Sequence, residues 1–92
     1  MNTTTIKYEE GRTAALGRLQ RLLCERGDAS PEVTYFVLRE EARHWRGLLL
    51  SHLDADFPAL PWLAYSRGGL DVVESVWQAH TAGEDAITRL AA

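Results

Sequence analysis

The side chains whose chemistry could define a function are three histidines, one cysteine, an acidic pair and a row of arginines on one helix face. His52 and His80 fall on apolar sides of two different expected helices. With Asp54 or Glu84 they would make the minimum donor set for a zinc ion. Neither His52 nor His80 has a second histidine or a cysteine at i±3 or i±4, however, and a histidine beside a core ordinarily hydrogen-bonds a carbonyl, so no metal site is expected. Cys24 stands one turn after Arg21 without a histidine placed to activate it, and reads as a small packing residue rather than a nucleophile. Asp54-x-Asp56 and Pro58-x-x-Pro61 mark the end of one helix and the start of the next. There is no glycine-rich phosphate loop and no paired catalytic carboxylate. The expectation is a protein with no catalytic residues and no cofactor, hence not an enzyme.

The arginine row is the feature that rises above this background. Glu32, Phe36, Arg39, Arg43, Arg46 and Leu50 recur at spacings of 4, 3, 4, 3 and 4. They form one stripe about 110° from the core face of their helix, counted at 100° per residue. A charged stripe is usually a solvated helix face. Phe36 and Leu50 at its two ends argue for more, because aromatics and arginine are the residue types enriched where interfaces hold their energy. Phe36, Arg39, Arg43, Arg46 and Leu50 are therefore the candidate partner-binding residues. Either another helix covers this side or an aromatic–arginine–leucine surface is left open.

Four elements must position these groups. Ala15, Leu16, Leu19, Leu22 and Leu23 share one arc of a first helix running from about Tyr8 to Arg26, with Arg18, Arg21 and Glu25 opposite and Gly27 as its stop. Residues 1–6 are expected to be flexible. Ser30-Pro31 is the clearest helix start, a capping hydroxyl followed by proline where no amide is needed. That second helix should run to about Leu53, with Leu38, Ala42, Trp45, Leu49 and Leu53 inward. A short third helix is expected from Pro58 to Ser66, closed by Gly68-Gly69. A last helix should start near Leu70 with Val72, Val73, Val76, Trp77, His80, Ile87 and Leu90 on one side. Gly83, on that side too, is either a close-packing spot or a break, with Thr81 then capping a separate terminal turn. No stretch alternates at period two for long enough to make a strand. The expected fold is all-α, a small four-helix bundle of three main helices and a short third one in a single domain, 1–92. Trp45, Trp77, Leu19, Leu23, Leu38, Leu49, Val73 and Val76 should be its core.

Composition bounds the partners. Of 92 residues, 46% are hydrophobic and 25% charged, an ordinary globular balance that argues against a disordered chain. The single cysteine excludes an internal disulfide framework. No apolar run exceeds Leu48-Leu49-Leu50, and Met1-Asn2-Thr3-Thr4-Thr5 lacks the pattern of a secretion signal. No membrane partner is expected, and the location expected is the cytoplasm. Residues 1–46 carry eight basic and seven acidic side chains, whereas 47–92 carry two and six, giving a net charge of −3. Sequence-independent nucleic-acid binders need many cations on one surface, which makes nucleic acid the less favoured partner.

Arg43-His44-Trp45-Arg46-Gly47 resembles at first the phosphorylated histidine of phosphotransfer domains. That family places its basic residue three positions, and its glycine four, after the histidine; here Arg46 and Gly47 stand two and three after His44. The helix plan, the mild acidity and the run Val72-Val73-Glu74-Ser75-Val76-Trp77-Gln78-Ala79 resemble the small immunity proteins that neutralise nuclease bacteriocins. Their partner-binding tyrosine pair is replaced here by Pro61-Trp62-Leu63-Ala64-Tyr65, and their acidic second helix by one bearing arginines. What the resemblance implies is a partner-binding inhibitor. Phage-encoded inhibitors of host defence, anti-CRISPR proteins among them, have the same size and no common motif. The leading expectation is thus a small protein-binding regulator or inhibitor acting through a helical surface. The alternative is a nucleic-acid-binding transcriptional regulator using a helix-turn-helix, and a homodimer is a third outcome the apolar surface allows.

Overall fold

A computed structural model describes residues 2–24, 30–56, 59–84 and 90. The expected helix stop at Gly27, the helix start at Pro58 and the core position of Ile87 lie outside them. Among the described residues three helices make the fold: α1 (Thr3–Leu19), continued by a π-helical turn (Gln20–Cys24), α2 (Pro31–Leu53) and α3 (Leu60–Thr81). Among the described residues there is no strand. The chain runs up, down and up. α3 packs against both other helices, antiparallel to α2, as Tyr35–Trp77 and His52–Trp62 show, and parallel to α1, with Lys7 against Trp62 and Leu16 beside Val76.

Local chemistry sets the starts. α1 begins at Thr3, earlier than its apolar periodicity indicates, because Asn2 Oδ1 accepts the Thr5 N–H at 2.8 Å. α2 has the expected bounds, with Ser30 Oγ accepting from Val33 N–H and Pro31 in its first turn. The π-turn has a wider, i→i+5 closure and so rotates less per residue than an α-helix. It offsets the drift that a four-residue spacing builds up and keeps Leu23 buried below Ala15 and Leu19.

The separate third and fourth helices of the sequence reading are one helix here, so the described residues form three main helices rather than four. Gly68 and Gly69 do not end a helix; they sit inside α3 and let neighbours approach. A Cβ on Gly68 would overlap the Tyr8 carbonyl, and one on Gly11 the Tyr65 carbonyl, so the α1 and α3 backbones touch where both side chains are missing. A Cβ on Gly69 would enter the Trp45 ring. The break falls at Gly83, whose φ is +88°. Its N–H bonds His80 O, and Glu84 N–H bonds Ala79 O, the paired closure of a Schellman stop.

Ala15, Leu19, Leu23, Leu38, Ala42, Trp45, Val73, Val76 and Leu90 form the core, with Trp45 only 2% exposed. Trp77 and Leu49 are half-buried against it rather than enclosed. Leu16 and Leu53, placed inward by periodicity, are exposed. Arg18, placed opposite the apolar arc, instead reaches across to α2. Its Nε and Nη2 donate to Glu41 at 2.9 and 2.7 Å, and the Glu41 side chain is 7% exposed. The buried carboxylate holds the Arg18 guanidinium above its ordinary pKa, chiefly through that hydrogen bond.

Candidate protein-binding surface

α2 presents two faces fixed by the same spacing. Thr34, Leu38, Glu41, Ala42 and Trp45 are buried; α3 and the π-turn pack against α2, and Arg18 of α1 reaches Glu41. The stripe lies beyond them and is left open: Phe36 is 58% exposed, Leu50 is 53% exposed, and Arg39, Arg43 and Arg46 are exposed between them. Neither neighbouring helix covers it. Arg43 makes one long contact, 3.5 Å to Glu40 Oε1, with both side chains exposed. Such a pair is worth well under about 1 kcal/mol. Among the described residues, no ion pair engages Arg39 or Arg46.

A groove of about 200 Å³ runs beside the stripe between α2 and α3, lined by Ala42, Arg46, Glu74, Trp77 and Gln78. Tyr35, 49% exposed, stands edge-on to Trp77 at 5.3 Å between ring centres and extends the open surface past Phe36. The sequence reading missed Tyr35. Its position is near the inward face of α2, and only the placement of Trp77 on a continuous α3 leaves it partly out.

A second apolar area lies at the α2–α3 turn, where Leu53, Leu60 and Trp62 are all about half exposed or more. His52 stacks on Trp62 with centres 6.3 Å apart, Tyr65 meets the same ring edge-on, and Lys7 Nζ stands 4.9 Å from its centre. His52 therefore faces the first turn of α3 and His80 lies in its last turn, so the two histidines sit at opposite ends of that helix. His44 is exposed, its ring edge-on to Trp45. Asp54 is the C-cap of α2, and Asp54 and Asp56 are both exposed. Cys24, read as a packing residue, is exposed at the end of the π-turn, which turns Leu23 inward in its place.

The α1–α3 seam carries a different polar contact. Tyr8 OH donates to Asp71 Oδ2 at 2.6 Å, and Arg67 Nε meets Asp71 Oδ1 at 2.9 Å. The hydrogen bond to the carboxylate raises the Tyr8 pKa above its ordinary 10, with burial adding to it. On the outer side of this seam a groove of about 360 Å³ runs between Glu9, Arg12, Leu16, Val72 and Val76, with Leu90 at its wall. Gln20 Nε2 donates to the Leu90 carbonyl and holds that residue in place.

Among the described residues, no three His, Cys, Asp or Glu side chains converge as a metal site would require, and no helix is long and apolar enough to cross a membrane. The fold and surface define a small three-helix protein with one open aromatic–arginine ridge. No protein-family model, curated protein or solved structure matches the chain.

Proposed function

We propose that this is a non-enzymatic protein that binds another protein through α2 and acts as its inhibitor or regulator. The observation that carries the reading is Phe36 and Leu50 exposed at the ends of the Arg39–Arg43–Arg46 row, at the margin of the α2–α3 groove. Burial of apolar ends around central arginines is how a helix face concentrates binding energy, because the ends exclude water from the charged contacts. The helix-turn-helix alternative finds less support, since the exposed large side chains of the first turn of α3 are Leu60 and Trp62 rather than base-reading polar groups.

A photo-crosslinking residue placed at Phe36 or Leu50 in the full chain, expressed in its own host, tests the proposal. It should yield a discrete protein adduct that the same residue at Thr13, on the outer face of α1, does not. With the adduct partner purified, Arg43→Ala should weaken binding by about 1–3 kcal/mol while helix content is unchanged. Adducts to nucleic acid alone, or none specific to the α2 positions, would refute it.

A further inference from the structure

From the same surface we infer the kind of partner it takes: an amphipathic helix carrying a row of carboxylates between two apolar residues. This rests on the protein-binding reading above and specifies its chemistry. Phe36 to Leu50 covers about 21 Å of axis at 1.5 Å per residue, on a helix whose start is fixed by Ser30 and Pro31. The row is therefore pre-ordered on one continuous helix. Its 3-4-3-4 spacing makes a ridge, and the groove of Ala42, Arg46, Glu74, Trp77 and Gln78 lies along its flank, with Glu74 its one acidic residue. A second helix laid along a ridge and groove repeats the same rise per turn. Carboxylates at i, i+4 and i+7 would then stand opposite Arg39, Arg43 and Arg46, with apolar residues one turn further out on Phe36 and Leu50.

Charge excludes the nearest rival occupants. A second copy paired about a twofold axis on this ridge would set Arg43 against Arg43, with Arg39 close to Arg46, and like charges juxtaposed at an interface cost several kcal/mol. A phosphate backbone would satisfy the arginines but leave Phe36 and Leu50 without an apolar counterpart. An acidic helix meets both the charge and the apolar ends.

The test displays a library of helical peptides of roughly 20 residues, randomised on one face, and selects it against the labelled full-length protein at physiological salt. Selected sequences should concentrate Glu and Asp at i, i+4 and i+7 with Leu or Phe flanking. Their affinity should fall at least tenfold on the combined Arg39→Ala, Arg43→Ala and Arg46→Ala variant. Selection of neutral or basic helices that still require Phe36 and Leu50 would overturn the acidic-helix inference while leaving a protein-binding surface. Selected peptides indifferent to all five residues would overturn both. Two further measurements use other occupants. A labelled DNA duplex of about 20 base pairs that displaces the peptides at physiological salt would assign the ridge to phosphate. A mass that rises with concentration for the protein alone, and no longer does so in the triple variant, would assign it to a second copy.

Discussion

The two sides of α3 are packed by opposite means. Toward α1 the seam is closed by missing side chains: Gly11 and Gly68 face carbonyls of the other helix, and the backbones come close enough for Tyr8 to reach Asp71. Toward α2 the seam is filled by rings, with Trp45 lying on Gly69, Tyr65 beside it at 5.6 Å and Tyr35 against Trp77. Backbone contact closes the centre of the first seam, at Gly11 and Gly68. Rings fill the second, and the arginine ridge stands at its margin. Grooves border both, about 360 Å³ beside α1 and α3 and about 200 Å³ beside α2 and α3, so the seams differ in how they are packed rather than in whether a groove opens.

Four tests bear on that contrast, and the largest effect belongs to the tight seam. Gly11→Ala with Gly68→Ala puts two methyl groups into carbonyls that cannot yield without separating the helices. The pair should cost more than about 4 kcal/mol, enough to unfold much of a domain of ordinary stability. A urea midpoint within error of the parent would show that the seam is not closed as described. On the ring-filled side, Trp45→Ala should cost about 3–5 kcal/mol by leaving a cavity between α2 and α3. Among the described residues its Nε1 meets no hydrogen-bond partner, and the expected loss is that of the buried ring's packing. Tyr8→Phe should cost less, about 1 kcal/mol for a partly exposed hydrogen bond to a charged group. Its signature is the pH dependence. Because the folded pKa of Tyr8 lies above the unfolded value of 10, the contribution is complete below pH 10 and is lost as pH rises through the folded value. The parent should lose stability there relative to Tyr8→Phe; parallel curves in alkaline denaturation would remove the Tyr8–Asp71 contact from the account. The smallest effect has the opposite sign. Nothing lies within 4 Å of a Cβ built on Gly17 or Gly47, so alanine at either should stabilise by roughly 0.5–1 kcal/mol through helix propensity. Destabilisation at either position would mean a neighbour approaches there too.

These glycines also show where reading a sequence stops. Ser30-Pro31 defined the start of α2 because a cap and a proline act within one turn, and the alternation of Leu38, Ala42 and Trp45 with Phe36, Arg43 and Leu50 sorted that helix into buried and open faces. Gly68-Gly69 looked like a stop by the same local logic. Glycine serves both to adopt positive φ and to admit a neighbour, and the neighbours here, Tyr8 and Trp45, lie more than twenty residues away in the chain. The resemblance to a bundle with a short third helix fails on that point.

The chain by itself determined an all-helical protein, the limits and two faces of α2, and the row from Phe36 to Leu50, because each follows from residue spacing along one helix. Only the tertiary structure decided that Gly83 breaks the last helix while Gly68 and Gly69 sit inside it. It also decided that Arg18 crosses to the buried Glu41, and that no helix covers the arginine ridge. Each of these depends on which surface arrives opposite a residue. That is set by the packing of three helices together, not by the turn each residue occupies.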